Sequence, residues 1–332
     1  MPQPLKAFPR IVYMGTPEFA VLPLERLVNG GYNVVGVVTM PDKPIGRHQT
    51  VLQASPVKQF AQSHGIPVLQ PERLKDESFI TQLRSLDADL QIVVAFRMLP
   101  EVVWAMPRLG TFNLHAALLP QYRGAAPINW AIINGDKQTG VSTFFLDRDI
   151  DTGRVIHRCP VDILETDNAG DVHDKLMYCG ADLVIRTVDD IIDGHVKAIP
   201  QEELTTDSPL RPAPKIFKDT CRIDWTKGVA RTYDFIRGLA PFPAAWTELS
   251  FAGKITVLKI YATHKEPSRP TEQLGDIVSD GKTFFKVALS DGYLHLDTVQ
   301  LAGKKRMDIA DFLRGFHVNG SERVVTQIGS SK

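Results

Sequence analysis

The first apolar run, RIVYMG at 10–15, ends in glycine and predicts a buried parallel strand. GTPEF follows, then an apolar-periodic stretch to Val28 and the break Asn29-Gly30-Gly31. That order predicts strand, turn and helix, with Thr16 as N-cap and Pro17 at the first helical position. NVVGVVT at 33–39 predicts a second strand, so the chain opens as a βαβ unit with a right-handed crossover and parallel pairing. Similar runs predict strands at 90–95, 111–114, 141–146 and 155–159, and helices at 56–64, 79–86, 127–133 and 169–192. In the last helix Val172, Leu176, Leu183, Val184, Val188 and Ile191 recur near helical spacing. Strands alternating with helices place this half among doubly wound α/β folds with a mostly parallel sheet. Ligands of such folds sit beyond the carboxyl ends of the strands.

The pattern changes at 196–214, where Pro200, Pro209, Pro212 and Pro214 crowd one stretch and predict an extended linker. One helix is expected at 226–239. Short alternating strands follow at 255–263, 275–279, 284–289 and 293–301, a pattern that predicts a small OB-like β-barrel. The expected organisation is therefore an α/β domain at 8–195, a linker at 196–214 and a barrel at 215–330. There is no internal repeat and no low-complexity tract.

Length agrees with this division, since 332 residues is about twice the usual size of one domain. No apolar run approaches the ~18 residues of a membrane span. The N-terminal MPQPLKAFPR lacks the apolar core of a secretory signal. The three cysteines, Cys159, Cys179 and Cys221, form no CxxC pair, which argues against a disulfide scaffold or a zinc site and fits a reducing cytoplasm. The net charge of zero conceals an asymmetry. Residues 211–332 carry 19 Lys and Arg against 13 Asp and Glu, whereas 1–210 carry 19 against 25. A basic half beside an acidic half suggests that the former meets a polyanion.

The chemistry concentrates in GTFNLHAALLPQYRGAAPINWAI at 110–132. Side chains alternate along a strand, so Asn113 and His115 share one face at its carboxyl end. A turn-rich loop follows. The second element is LDRDIDTG at 146–153, which carries Asp147, Asp149 and Asp151 ahead of Gly153. An Asp-Thr-Gly turn also occurs in aspartic proteases, but those need two copies in an all-β fold. GTPEF lacks the GxGxxG spacing of a dinucleotide site, which ranks a nucleotide-binding oxidoreductase low.

Asn113-x-His115, the following ALLPQYRGAAP and the later IDTG together resemble the formyltransferase family that uses 10-formyltetrahydrofolate. The family's usual SLLP has Ala117 here in place of serine. GTPEFA, PDKPIGR, SPVK, PVLQP, RIDW, FPAAW and AGKKRM extend the resemblance from about residue 11 to about 328, toward members whose acceptor is methionyl initiator tRNA. The resemblance implies formyl transfer from 10-formyltetrahydrofolate to an amine, without a metal. Asn113, His115 and Asp151 would be catalytic. The folate would lie against Ala117, Leu118, Leu119 and Pro120 and under Phe96, Arg97, Met98 and Leu99, a loop one residue shorter than the family's usual Tyr-Gly version. Phe19 would contact the methionyl side chain. Lys43 and Arg47 would reach tRNA phosphates from a loop in which His48, Gln49 and Thr50 replace the more usual glycine and lysines. Lys304, Lys305 and Arg306 would engage the tRNA from the barrel. The chain would act as a cytoplasmic monomer without a membrane partner. The alternative is a family member acting on a small-molecule amine, an amino sugar or glycinamide ribonucleotide.

Overall fold

The computed structural model describes residues 6–45, 51–204 and 208–326. The chain forms two compact units. One comprises Met1–Gly124, Thr139–Asp162 and His173–Ala213; the other comprises Ala125–Gln138, Ile163–Val172 and Pro214–Lys332.

The first unit is built on strands β1 (Lys6–Gly15) and β2 (Tyr32–Val38), a separate hairpin of β3 (Lys43–Ile45) and β4 (Val51–Gln53), and strands β5 (Val68–Leu69), β6 (Leu90–Val94), β7 (Thr111–His115), β8 (Gln138–Phe145) and β9 (Val155–Asp162). The main sheet runs β5-β2-β1-β6-β7-β8-β9. It is parallel from β5 to β7 and antiparallel between β7 and β8. All five residues of β6 are buried, as expected of a central strand covered on both faces. Chain order turns around β1 and β6, so the carboxyl ends of β1, β6 and β7 form the crevice where such sheets bind ligands.

The helices up to residue 192 are α1 (Val21–Asn29), α2 (Pro56–Ser63), α3 (Glu77–Ser85), α4 (Glu101–Trp104), α5 (Pro127–Ile133) and α6 (Ala169–Ile192), of which α5 and the first turn of α6 fall in the second unit. Ser55 caps α2, its hydroxyl accepting from the Lys58 amide at 3.1 Å, with Pro56 in the first turn. Phe79 and Leu83 of α3 bury one helical face against Val12, Met14, Val38 and Val93. Gly180 of α6 lies against Leu114 of β7, where an added Cβ would sit 2.8 Å from a Leu114 methyl. Glycine there lets the helix approach the strand that carries Asn113 and His115.

The expected cap at Thr16 is not formed. Pro17 is extended, a short 3₁₀ turn spans Glu18–Ala20, and α1 starts at Val21. The Thr16 hydroxyl instead accepts from the Met40 amide at 3.4 Å, tying β1 to the end of β2.

The second unit contains α7 (Gly228–Leu239), strands β10 (Ala245–Phe251), β11 (Lys254–Glu266), β12 (Ile277–Ser279), β13 (Phe285–Ala288), β14 (Tyr293–Leu301), β15 (Met307–Asp308) and β16 (Arg323–Val324), and α8 (Ile309–Gly315). The sheet order is β12-β13-β14-β11-β10-β16, with β15 beside β14. The two end strands meet: the Val324 amide donates to the Gly275 carbonyl at 2.9 Å and Asp276 bridges Arg323. The antiparallel sheet is thus nearly closed, which removes its open edges. Its core gathers Trp225, Ile236, Leu258, Ile260, Phe285, Val287 and Phe312. Two segments that carried the sequence resemblance build this core. Trp225 of RIDW is fully buried and donates from Nε1 to Thr247 at 3.0 Å. Trp246 of FPAAW donates to the Lys218 carbonyl at 2.8 Å. The α5 segment belongs to this unit, where the Asn129 amide donates to the Gly238 carbonyl of α7 at 2.7 Å.

Candidate active site

The alternation of β7 places Asn113 and His115 on one face at the carboxyl end of an interior strand. His115 is buried. Its Nε2 pairs with the Tyr122 carbonyl at 2.9 Å. A carbonyl only accepts, so Nε2 carries the hydrogen and Nδ1 is the basic nitrogen of the neutral ring. Nδ1 lies 3.9 Å from Oδ2 of Asp151, beyond a direct hydrogen bond but within strong Coulombic range. The Phe144 ring meets the imidazole edge-on.

Asp151 sits in the loop between β8 and β9 with a φ of 55°, a left-handed conformation that aspartate tolerates better than most residues. Its Oδ2 accepts from the Gly124 amide at 2.9 Å, and its carbonyl accepts from the Gln201 side chain at 2.8 Å. Gly153 has a steric reason, because a Cβ there would fall 1.7 Å from the Phe145 carbonyl oxygen. No other residue fits the turn without moving it.

Asn113 differs from its neighbours. Its side-chain oxygen is buried and has no hydrogen-bond partner among the described residues. Buried polar atoms are nearly always paired, and exceptions mark sites built for something else. The unpaired acceptor at the end of β7 fits a ligand that brings an N–H donor, such as an amine.

The turn after β7 is held from β8. Ser142 donates its hydroxyl to the Ala117 carbonyl at 2.7 Å and accepts from the Leu119 amide at 3.0 Å. Ala117 and Leu119 are fully buried, Leu119 packing on Phe144 and Val155, and Pro120 is also buried. Only backbone groups of these residues are left to meet a ligand, whereas Leu118 is partly exposed. Beyond β6, Ala95 has a φ of 48° and turns the chain into Phe96, Arg97, Met98 and Leu99. Arg97 donates to the Glu72 carbonyl at 2.7 Å and to the Pro71 carbonyl, and its burial pushes the guanidinium below its ordinary value. Met98 is 74% exposed and Leu99 is buried. Arg97 therefore shapes the loop from which Met98 projects into solvent.

Phe19 is buried in the 3₁₀ turn, edge-on to His173 at 5.2 Å. Lys43 is exposed at the start of β3. Beside it, the Lys58 ammonium at 2.6 Å holds the Asp42 carboxyl below its usual range. Arg47, with His48, Gln49 and Thr50, lies outside the described residues. Lys304, Lys305 and Arg306 are exposed in the turn from β14 to β15 of the second unit, with Arg306 over the Tyr261 ring at 4.4 Å. The structure thus brings Asn113, His115 and Asp151 into one place, while the basic triplet lies in the other unit. Sequence reasoning missed Ser142 and Gln201, because a buried hydroxyl or amide that serves backbone groups leaves no periodic signal. Among the described residues no group of three or more His, Cys, Asp or Glu is placed to hold a metal ion, and no helix is long and apolar enough to cross a membrane.

Residues 9–188 match a family described as formyl transferase, and residues 215–317 match the formyl transferase C-terminal domain. The chain is similar to a protein of Phocaeicola vulgatus named methionyl-tRNA formyltransferase, at 66% identity over 317 residues, covering 95% of this chain and 98% of that one. It is similar to a protein of the same name from Parabacteroides distasonis, at 65% identity over 309 residues, covering 92% and 95%. Among solved structures it resembles WlaRD, a sugar 3N-formyl transferase crystallised with dTDP and 5-N-formyl-THF. That match has a TM-score of 0.62 at 17% identity and covers 90% of this chain and all of the other.

Proposed function

The chain belongs to the formyl transferase family, and within it we propose that this protein transfers the formyl group of 10-formyltetrahydrofolate to the α-amino group of methionyl initiator tRNA. The observation that carries the reading is identity of 65–66% across nearly the whole of two relatives with that activity in their names, through both the catalytic and the C-terminal domain. The likeness to the sugar enzyme supports the fold alone.

The chemistry follows from the site. A free α-amino group has a pKa near ~8, so a substantial share is neutral and nucleophilic at working pH. Its attack on the formyl carbon places negative charge on the formyl oxygen and positive charge on the nitrogen. The Asn113 Nδ2–H would donate a hydrogen bond to that oxygen, a contribution typically worth ~10²–10³ in rate. His115 takes the amine proton at Nδ1 and returns one to the folate nitrogen as the C–N bond breaks. The Asp151 carboxylate at 3.9 Å stabilises the imidazolium between those two events. Backbone groups of Phe96, Arg97, Met98, Leu99, Ala117, Leu118, Leu119 and Pro120 would hold the folate. Phe19 would border the methionyl side chain, Lys43 and Arg47 would meet acceptor-stem phosphates, and Lys304, Lys305 and Arg306 would meet the tRNA backbone. The same reading has the chain acting as a monomer in the cytoplasm.

The test is direct. Purified protein is incubated with 10-formyltetrahydrofolate and methionyl initiator tRNA, and the aminoacyl ester is released and weighed. Formation of N-formylmethionine is the expected result. Recovery of unmodified methionine under conditions that release free folate would overturn the reading.

A further inference from the structure

The stretch at 196–214, which by composition forms a plain connector, sends Ile199 and Gln201 against the loop that carries Asp151. Ile199 pairs with Val155 at the start of β9, each amide donating to the other's carbonyl at 2.8 Å. In that antiparallel bridge, two residues onward from Ile199 corresponds to two residues back from Val155. Gln201 is therefore delivered opposite Gly153, and it is 1% exposed. Its Nε2 donates to the carbonyls of Asp151 and Gly153, both at 2.8 Å. Its Oε1 accepts from Nε and Nη2 of Arg123 at 3.0 and 2.7 Å. Both hydrogens and both lone pairs of the amide are used, which only a primary carboxamide offers in one head group.

These bonds close a ring through the site. The Arg123 side chain holds Gln201, Gln201 holds the Asp151 main chain, and the Asp151 carboxylate accepts from Gly124, the residue bonded to Arg123. Asp151 is thus gripped at its carbonyl and at its carboxylate. The Ala213 amide donates to the Arg123 carbonyl at 2.8 Å, so the far end of the same segment secures the other side of the ring. We propose that Gln201, clamped by Arg123, is a positioning residue for formyl transfer that fixes the Asp151 carboxylate against His115.

The proposal rests on the formyl-transfer reading above. Gln201 touches neither reactant, so its loss should appear in turnover and not in binding. Misplacement of a catalytic group by about 1 Å can cost ~10²-fold. Gln201→Ala should lower kcat about 10- to 100-fold with KM for folate and tRNA within about twofold. Arg123→Lys keeps the charge but loses the two-pronged bond, and should give a smaller loss of the same kind. It is the fallback if Gln201→Ala does not fold, as judged by its thermal melt.

The deciding experiment is a double-mutant cycle with Asp151→Asn. If Gln201 acts through the carboxylate, Gln201→Ala added to Asp151→Asn lowers kcat little further. Multiplied losses, or a wild-type kcat in Gln201→Ala, would overturn the proposal. If wild-type protein does not formylate methionyl-tRNA, the reading fails separately, and hydrogen exchange in the free chain decides the inference. The Gly124 amide should then exchange faster in Gln201→Ala while amides of β6 keep their protection. Unchanged Gly124 exchange would overturn it, as would acceleration spread evenly over the sheet.

Discussion

Asn113 and His115 stand side by side on one strand but relate to the fold in opposite ways. Asn113 keeps a buried oxygen without a partner, a cost the protein carries for no structural return. Residues of this kind trade stability for function. Asn113→Ala should therefore leave the melting temperature unchanged or raise it, while lowering kcat at least ~10²-fold. His115→Ala should lower kcat by at least ~10² as well, but should also lower the melting temperature, because it removes the buried hydrogen bond between His115 Nε2 and the Tyr122 carbonyl. Calorimetry and turnover on the two purified variants check both halves. A marked loss of stability in Asn113→Ala, or near-normal turnover in either variant, would contradict the assignment. The two residues were readable in the sequence because a strand's period of two is unambiguous. Gln201 was not, because its partners are backbone carbonyls more than forty positions away.

At the scale of elements, legibility followed length and apolarity. The interior strands β6 and β7 lie within one residue of the expected 90–95 and 111–114, whereas β1 begins at Lys6, four residues before the apolar run at 10–15 that marks it. The edge strands β5, β15 and β16 have two residues each, too few to show any period. β10 was missed although it alternates cleanly in burial, because its inward positions include Ala245 and Thr247 and so lack an apolar signature. The outer face of the barrel sheet also holds a charge cluster that composition could not show. Glu266 of β11 accepts from Lys286 at 2.8 Å, Ser268 at 2.6 Å and His295 at 2.6 Å. These bonds, that from Lys286 foremost, hold its carboxyl down from 4.5 to about 2. A carboxyl whose folded value is depressed stabilises the fold above its unfolded value and loses that contribution as pH falls through the folded one. Its contribution should therefore disappear between about pH 4.5 and 2. Urea melts of wild type and Glu266→Gln should converge across that window as acid removes what the substitution has already removed. Curves that stay parallel down to pH 2 would show that the difference does not come from ionisation of Glu266.

For the molecule as a whole, charge and fold divide alike. The excess of Lys and Arg lies in 211–332, which holds most of the barrel unit, and the acidic excess lies in the half that carries Asn113, His115 and Asp151. A small amine acceptor gives no reason for such a division, whereas a tRNA presents dense phosphate charge that a basic barrel attracts and an acidic surface repels. The central claim is that the acceptor is methionyl-tRNA and not a small amine. The most direct measurement is competition in one vessel: limiting 10-formyltetrahydrofolate, the purified chain, and methionyl initiator tRNA, glycinamide ribonucleotide and a UDP-amino sugar at equal concentration. Product ratios then give relative kcat/KM. The expected result is formyl label almost wholly on methionyl-tRNA, by at least ~10³ over either small amine, a discrimination on the order of 4 kcal/mol. Label accumulating on the ribonucleotide or the sugar at a comparable or higher rate would contradict the account.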